Sequence, residues 1–312
     1  MMSSEDRLEE ALDAYNTRIA NLEGSGDSDE LLESYINRGT VLMMMEFYTA
    51  AESDFEEAVE IIESRERDGI PVDLGLFIRA YENRGQISCE VDNPRMRSDY
   101  GRIIGRLPEL RSGTRYFATK DIVIMCINCA EDLLDCSYAE EALPFLDKAM
   151  DALKGKHDPW SENRYMDVCG IRAEALKALE RYEESISFYN DAIKVGERLN
   201  YEGNIDDLYL LALCYVYRGD VHYALGNDEE SLRDHMDACN YIEDMVNNGA
   251  SDNKDMLADL CQSISSTLMD LGRVEQSEKY ILKSMRYRLP EPDNAIGSFG
   301  IGDPDDDYDE FY

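Results

Sequence analysis

The segments YINRGT at 35–40 and YENRGQ at 81–86 share Tyr-x-Asn-Arg-Gly and stand 46 residues apart. Such spacing asks whether a site is used twice or a fold is built by repetition. Stepping outward from Gly39 and Gly85 reaches Ala130, Ala173, Gly219 and Ser265, after gaps of 46, 45, 43, 46 and 46 residues. All six are small. Roughly twelve residues after each comes a triplet spaced four and then three, which is one face of a helix. The triplets are Ala51-Phe55-Ala58, Met96-Tyr100-Ile103, Ala142-Leu146-Ala149, Ser185-Tyr189-Ala192, Ser231-His235-Ala238 and Ser277-Ile281-Ser284. The outer members are mostly small and the middle one is large. A small residue lets two helix backbones approach, and a large one fills the groove between them, so the pattern calls for packed helix hairpins.

Composition agrees. Leu, Met, Tyr, Ala, Glu and Arg are abundant, Pro is scarce, and few runs alternate as a half-buried strand does, so an all-α chain is expected. The opening MMSSEDRLEE has no basic, apolar leader pattern, and the longest apolar run, LYLLALCYVY at 208–217, is too short to span a bilayer. A cytoplasmic protein with reduced, scattered cysteines is the expectation. The charge is 31 basic against 67 acidic residues, a formal −36, and the stretch from Glu291 onward adds eight acids and no Lys or Arg. Such a surface repels phosphate backbones and anionic lipid, which argues against nucleic-acid or membrane partners. Acidity that serves only solubility is the plainer reading of the same numbers.

The six units resemble the tetratricopeptide repeat family. Gly39, Leu42, Tyr48, Ala51, Phe55 and Ala58 follow its pattern of a small residue, an apolar one three later and Ala-x3-Phe-x2-Ala on the second helix. YRGDVHYALGNDEESLRDHMDA at 217–238 and RAEALKALERYEESISFYNDA at 172–192 follow it about as well. The period of 43 to 46 exceeds the family's usual ~34, as in its long-helix members, and the second repeat is irregular at Met96 and Ile103. The resemblance implies a right-handed α-solenoid of about six antiparallel helix hairpins over 28–288. An amphipathic N-terminal helix within 1–27, with Leu8, Ala11, Tyr15 and Ile19 on one side, caps it or acts as an orphan second helix. Residues 289–312, Gly- and Asp-rich, read as a disordered acidic tail.

Local signals fit these hairpins. Asn93-Pro94 and Asp158-Pro159 set a capping side chain before Pro at a helix start, and Asn227 before acids opens another. Gly226 and Gly272 fall where a first helix should stop.

Chemistry finds little foothold. Cys126-Ile-Asn-Cys129 with Cys136 could form a redox or metal cluster, but apolar neighbours and the lack of a second pair favour core. His222 and His235 occupy packing positions, and Asp303, Asp305, Asp307 and Asp309 lack the Gly and Glu of a calcium loop. No catalytic residue, cofactor or metal site is expected.

Binding is the remaining function. In the family, first helices line a concave groove that takes an extended peptide or a helix. The lining positions implied here include Thr40, Met43, Met44, Glu82, Gln86, Glu131, Leu134, Asp135, Glu174, Asp220, Tyr223, Ser266, Met269 and Asp270. The Lys and Asn set with which chaperone-binding members clamp a carboxylate is absent. An acidic groove dotted with Met and Tyr suits a basic, partly apolar partner segment. A peptide-sensing regulator is a second reading, and cysteine-based metal or redox chemistry a third. Against the prevailing charge, Arg95, Arg102 and Arg106 lie on nearly one helical face. They either neutralise acids on neighbouring repeats or dock an acidic partner, the chain's own tail included, which would give self-association.

Overall fold

The computed structural model describes residues 3–22, 29–90, 95–113, 115–250 and 253–288, with 88–90 as backbone alone. Thirteen α-helices and one 3-10 turn, Leu107–Glu109, account for the regular structure, with no strand among the described residues. After α1 (Ser4–Leu22) the helices pair in chain order as six hairpins. They are α2 (Asp29–Met44) with α3 (Tyr48–Arg67), α4 (Leu74–Glu90) with α5 (Met96–Arg106), and α6 (Thr119–Asp135) with α7 (Ala139–Leu153). Then come α8 (Pro159–Ala178) with α9 (Tyr182–Glu202), α10 (Leu208–Ala224) with α11 (Asp228–Asn247), and α12 (Lys254–Asp270) with α13 (Val274–Arg288). Each second helix also packs on the next first helix where α3 meets α4, α7 meets α8, α9 meets α10 and α11 meets α12, so the body is an α-solenoid.

The sequence pattern explains the packing directly. Phe55, Tyr100, Leu146 and Tyr189 are fully buried, and His235 nearly so; Phe55, Tyr100 and His235 lie against the glycine of their own first helix. A Cβ added to Gly39 would lie 2.5 Å from the Phe55 ring, and one on Gly219 would lie 2.5 Å from the His235 ring. Where the small residue is Ala173 or Ser265, a hydroxyl closes the crossing instead. Ser185 Oγ donates to the Ala173 carbonyl at 2.7 Å, and Ser265 and Ser277 share a hydrogen bond of 2.8 Å.

The Arg of the opening motif is a clasp that the sequence reading passed over. Arg38, Arg84 and Arg218 each grip, with two parallel hydrogen bonds of 2.6 and 2.8 Å, the Asp beside the large residue of the second helix: Asp54, Asp99 and Asp234. The guanidinium also lies over the Tyr three residues earlier, at 5.6, 5.5 and 5.4 Å for Tyr35, Tyr81 and Tyr215. Arg172 replaces the carboxylate with an aromatic ring, Phe188, at 4.8 Å. The clasp also reaches the helix before it: Arg38 donates to Asn16 Oδ1 of α1 at 2.9 Å as Arg218 donates to Asn190 Oδ1 of α9 at 2.6 Å, so α1 meets α2 through the bond by which α9 meets α10.

The first helices α2, α6, α8, α10 and α12 stop in one way. Glu46, Ser137, Glu180, Gly226 and Gly272 all take left-handed backbone, φ between 59° and 75°. Around each, a pair of bonds of 2.7–3.0 Å returns to the preceding turn, as in Arg181 N to Leu176 O and Glu180 N to Lys177 O. Asp158 caps α8 as expected, accepting from Ser161 N at 3.2 Å ahead of Pro159. Asn227 does not: it stands at the start of α11 but its side chain makes no cap bond, and its Nδ2 faces His222 Nδ1 at 3.5 Å instead. Asn93-Pro94 and the tail, 289–312, lie outside the described residues.

Candidate partner-binding groove

First helices stand side by side, α2 against α4, α4 against α6, α6 against α8 and α8 against α10, and so form one face of the solenoid. Polar contacts lace that face at both ends. Arg79 reaches Asn37 at 2.8 Å and Asn83 reaches Thr40 Oγ1 at 3.3 Å. At the other end Tyr223 donates to Asp270 at 3.0 Å and also contacts Ser266. Thr40, Tyr223, Ser266 and Asp270 are therefore engaged in contacts between neighbouring first helices. Asp220 likewise faces His235 Nε2 at 3.2 Å.

The middle of the face gathers acids. The Glu131 carboxyl is pushed up by burial first, and then by Asp132, Asp135 and Glu174, so carboxylates of α6 and α8 share one field. Asp167 of α8 is pushed up to about 6, again by burial first, with Asp207, Glu131 and Asp206 adding to it and Arg164 opposing. Half-buried Glu82 is pushed up to about 7 because desolvation outweighs Arg79. Beside it, Tyr100 donates to Asp132 at 2.5 Å. Arg164 is the local cation, bound to Asp167 at 3.0 Å and Asp206 at 3.4 Å. Lys177 lies over the Tyr217 ring at 4.2 Å.

Glu82, Glu131, Asp135 and Glu174 lie on α4, α6 and α8, and Asp132, Arg164 and Asp167 stand in the same field although they fall between the fixed lining positions of the repeat. The apolar spots differ in access: Met44, Tyr223 and Met269 are exposed, Met43 and Leu134 half-buried, and Gln86 is exposed among them.

The arginines of the basic patch face acids of α3 and of the 3-10 turn. Arg95 pairs with Glu56, Arg102 with Glu66, and Arg106 with Glu109 at 2.7 Å. Arg102 and Arg106 also lie over Phe77, at 5.6 and 4.9 Å. These contacts fasten α5 to α3 and α4. Cys126 and Cys129 are fully buried and their thiols are pushed up by desolvation, which disfavours the thiolate; Cys136 is exposed.

Tetratricopeptide repeat models match residues 31–64, 167–195 and 258–289, which are parts of the first, fourth and sixth hairpins. The chain is a tetratricopeptide repeat protein. No curated protein matches it in sequence. In structure this tetratricopeptide array is similar to the apo form of RapI, with a TM-score of 0.63 at 12% identity over 90% of this chain and 76% of that one. It is also similar to BtubC (BKLC) from P. vanneervenii, with 0.55 at 16% identity over 83% and 98%. A third likeness is to the C-terminal part of a TPR repeat-containing protein from Cytophaga hutchinsonii, with 0.53 at 13% identity over 91% and 95%. At these identities the likeness is one of fold. No helix among the described residues is long and apolar enough to cross a membrane.

Proposed function

We propose that the protein is a noncatalytic adaptor whose first-helix face binds a basic, partly apolar segment of another protein. Membership of the tetratricopeptide repeat family supports a protein-binding scaffold. The observation that carries the finer reading is the convergence of Glu131, Asp135, Glu174 and Asp167 from two consecutive first helices, where the Glu131 and Asp167 carboxyls are raised by desolvation and by the acids around them. Carboxylates held in mutual repulsion gain when a cation enters between them, so Lys or Arg of an incoming segment relieves a cost already present. Exposed Met44 and Met269, at the two ends of the face, offer adaptable apolar contact. Arg164 is the element that a cationic segment has to compete with for Asp167.

The test is binding to arrayed peptides of both charge signs at low and moderate salt, with wild type and a Glu131→Lys/Asp135→Lys/Glu174→Lys variant. Preference for basic peptides, weakened by salt and abolished in the variant, is expected. Preference for acidic peptides, or basic-peptide binding indifferent to the charge reversal, would overturn the reading.

A further inference from the structure

The last hairpin leaves a packing surface open. On the earlier second helices α3 and α11 the stripe that carries the large residue is covered. In α3, Phe55, Val59 and Ile62 are buried, and in α11, Leu232, His235, Cys239 and Ile242 are buried, and each of these helices packs on the first helix that follows as well as on its own. The same stripe on α13 is Val274, Glu278, Ile281, Met285 and Arg288, spaced four, three, four and three. No described helix follows it. Val274 is 48%, Ile281 40% and Met285 56% exposed, and Leu282 beside them is 67% exposed. Apolar residues at coiled-coil spacing on a free helix face call for a helical partner.

We propose that this face binds the same face of a second copy, with the two α13 helices antiparallel about a two-fold axis. Charge order along the stripe selects that occupant. The helix carries Glu275, Glu278 and Lys279 in its first half and Lys283, Arg286 and Arg288 in its second. Antiparallel pairing lays the half that holds both acids on the wholly basic half, whereas parallel pairing sets the three cations of one copy on the three of the other. One register satisfies both the apolar and the charged positions. Glu278 meets Arg288 of the second copy twice, Ile281 meets Met285 twice, and the two Leu282 side chains meet near the axis. The arrangement also repeats the solenoid's own rule, since α3, α7, α9 and α11 are each packed on by the helix that follows after a short connection. Arg288 already contacts Asp259 and, at 3.1 Å, Gln262, and its side chain is 50% exposed. A surface pair of that kind yields readily to a second carboxylate. With a net charge of −36 on each chain, the rest of the surface repels a second copy, so the association is weak and confined to this one face.

The experiment is sedimentation equilibrium of the full chain across micromolar to hundreds of micromolar concentration at physiological salt. It compares wild type, Glu278→Arg, Arg288→Glu, the two combined, and Ile281→Asp, with far-ultraviolet circular dichroism to confirm that helix content is kept. Wild type should pass from monomer to dimer. Each single charge reversal should weaken association about tenfold, since it turns two attractive contacts repulsive, and the combined variant should recover most of it. Ile281→Asp should remain monomeric. A wild type that is monomeric throughout, or a combined variant no better than the singles, overturns the proposal. So does dimerisation that appears only after truncation at Arg288, which would make the chain's own residues 289–312 the occupant of the face.

Discussion

Gly85 lies under the ring of Tyr100 so closely that a Cβ on it would stand 2.2 Å from the ring's Cε1. The opening motif's glycine is thus fixed by a helix crossing, and the ring across from it is locked by a 2.5 Å hydrogen bond to Asp132. Gly85→Ala should lower stability by about 1–3 kcal/mol, the usual cost of overpacking, read from the midpoint of urea unfolding. Gly101 and Gly105 of α5 supply the control, because a Cβ there meets nothing within 4 Å. Alanine at either should raise stability by about 0.5–1 kcal/mol through helix propensity alone. Equal effects at Gly85 and Gly101 would show that the crossing is not tight.

The Arg–Asp clasp is a pair whose members depend on each other. The Asp99 side chain is 2% exposed and that of Arg84 14%. Burial raises the Asp99 carboxyl, and Arg84 offsets it. Removing Arg84 leaves a buried carboxylate alone, so Arg84→Met should cost about 3 kcal/mol, whereas Arg84→Met with Asp99→Leu should cost clearly less. A double-mutant cycle by chemical denaturation measures this. Simple additivity of the two single changes would remove the clasp from the account of the fold.

Glu46, Ser137 and Glu180 hold left-handed backbone that Gly226 and Gly272 hold at the same place in later repeats. An L side chain pays about 1–2 kcal/mol there, and glycine returns part of it as entropy of the unfolded chain. Glu180→Gly should therefore stabilise by about 0.5–1 kcal/mol, and the triple replacement by about the sum, since the sites are in different repeats. Thermal unfolding of the single and triple variants checks it, and a fall in midpoint would contradict the shared stop.

Much of this was legible from six small residues and six triplets, because a helix crossing has few chemical solutions and each leaves a size pattern in the chain. The hairpins and the irregular second repeat came from that pattern. The clasp was written there too: Asp precedes Phe55, Tyr100 and His235 in just the three repeats that carry Arg-Gly. Reading one helix at a time hid a relation between two. The acids of the proposed groove are legible only by position. Glu131 and Glu174 follow from their offset to the small residue, while Asp167 and Arg164 reach the same field from the preceding turn of α8, where no repeat rule places them. Nor does a short segment reveal that Arg95, Arg102 and Arg106 meet Glu56, Glu66 and Glu109, two of which lie on an earlier helix.

Glu82 makes stability depend on pH in the direction opposite to most carboxylates. Its folded carboxyl is raised to about 7 from an ordinary 4.5, chiefly by desolvation, with Asp132 adding and Arg79 opposing. Below pH ~4.5 the group is protonated in both states and costs nothing. As pH rises from there to about 7, the unfolded chain releases the proton first, so the folded state binds more protons and loses stability relative to the unfolded one. Above that window the full cost, about 2 kcal/mol after allowance for its partial exposure, stays in place. Asp167, raised to about 6, acts in the same sense over a lower window. Glu82→Gln should accordingly leave stability unchanged near pH 4.5 and raise it at pH 8, flattening the fall between them. Chemical denaturation of both proteins at the two pH values decides it. A variant that gains equally at both has lost strain or packing rather than a buried charge, and a variant that loses stability at pH 8 places the Glu82 carboxylate in a favourable pair with Arg79.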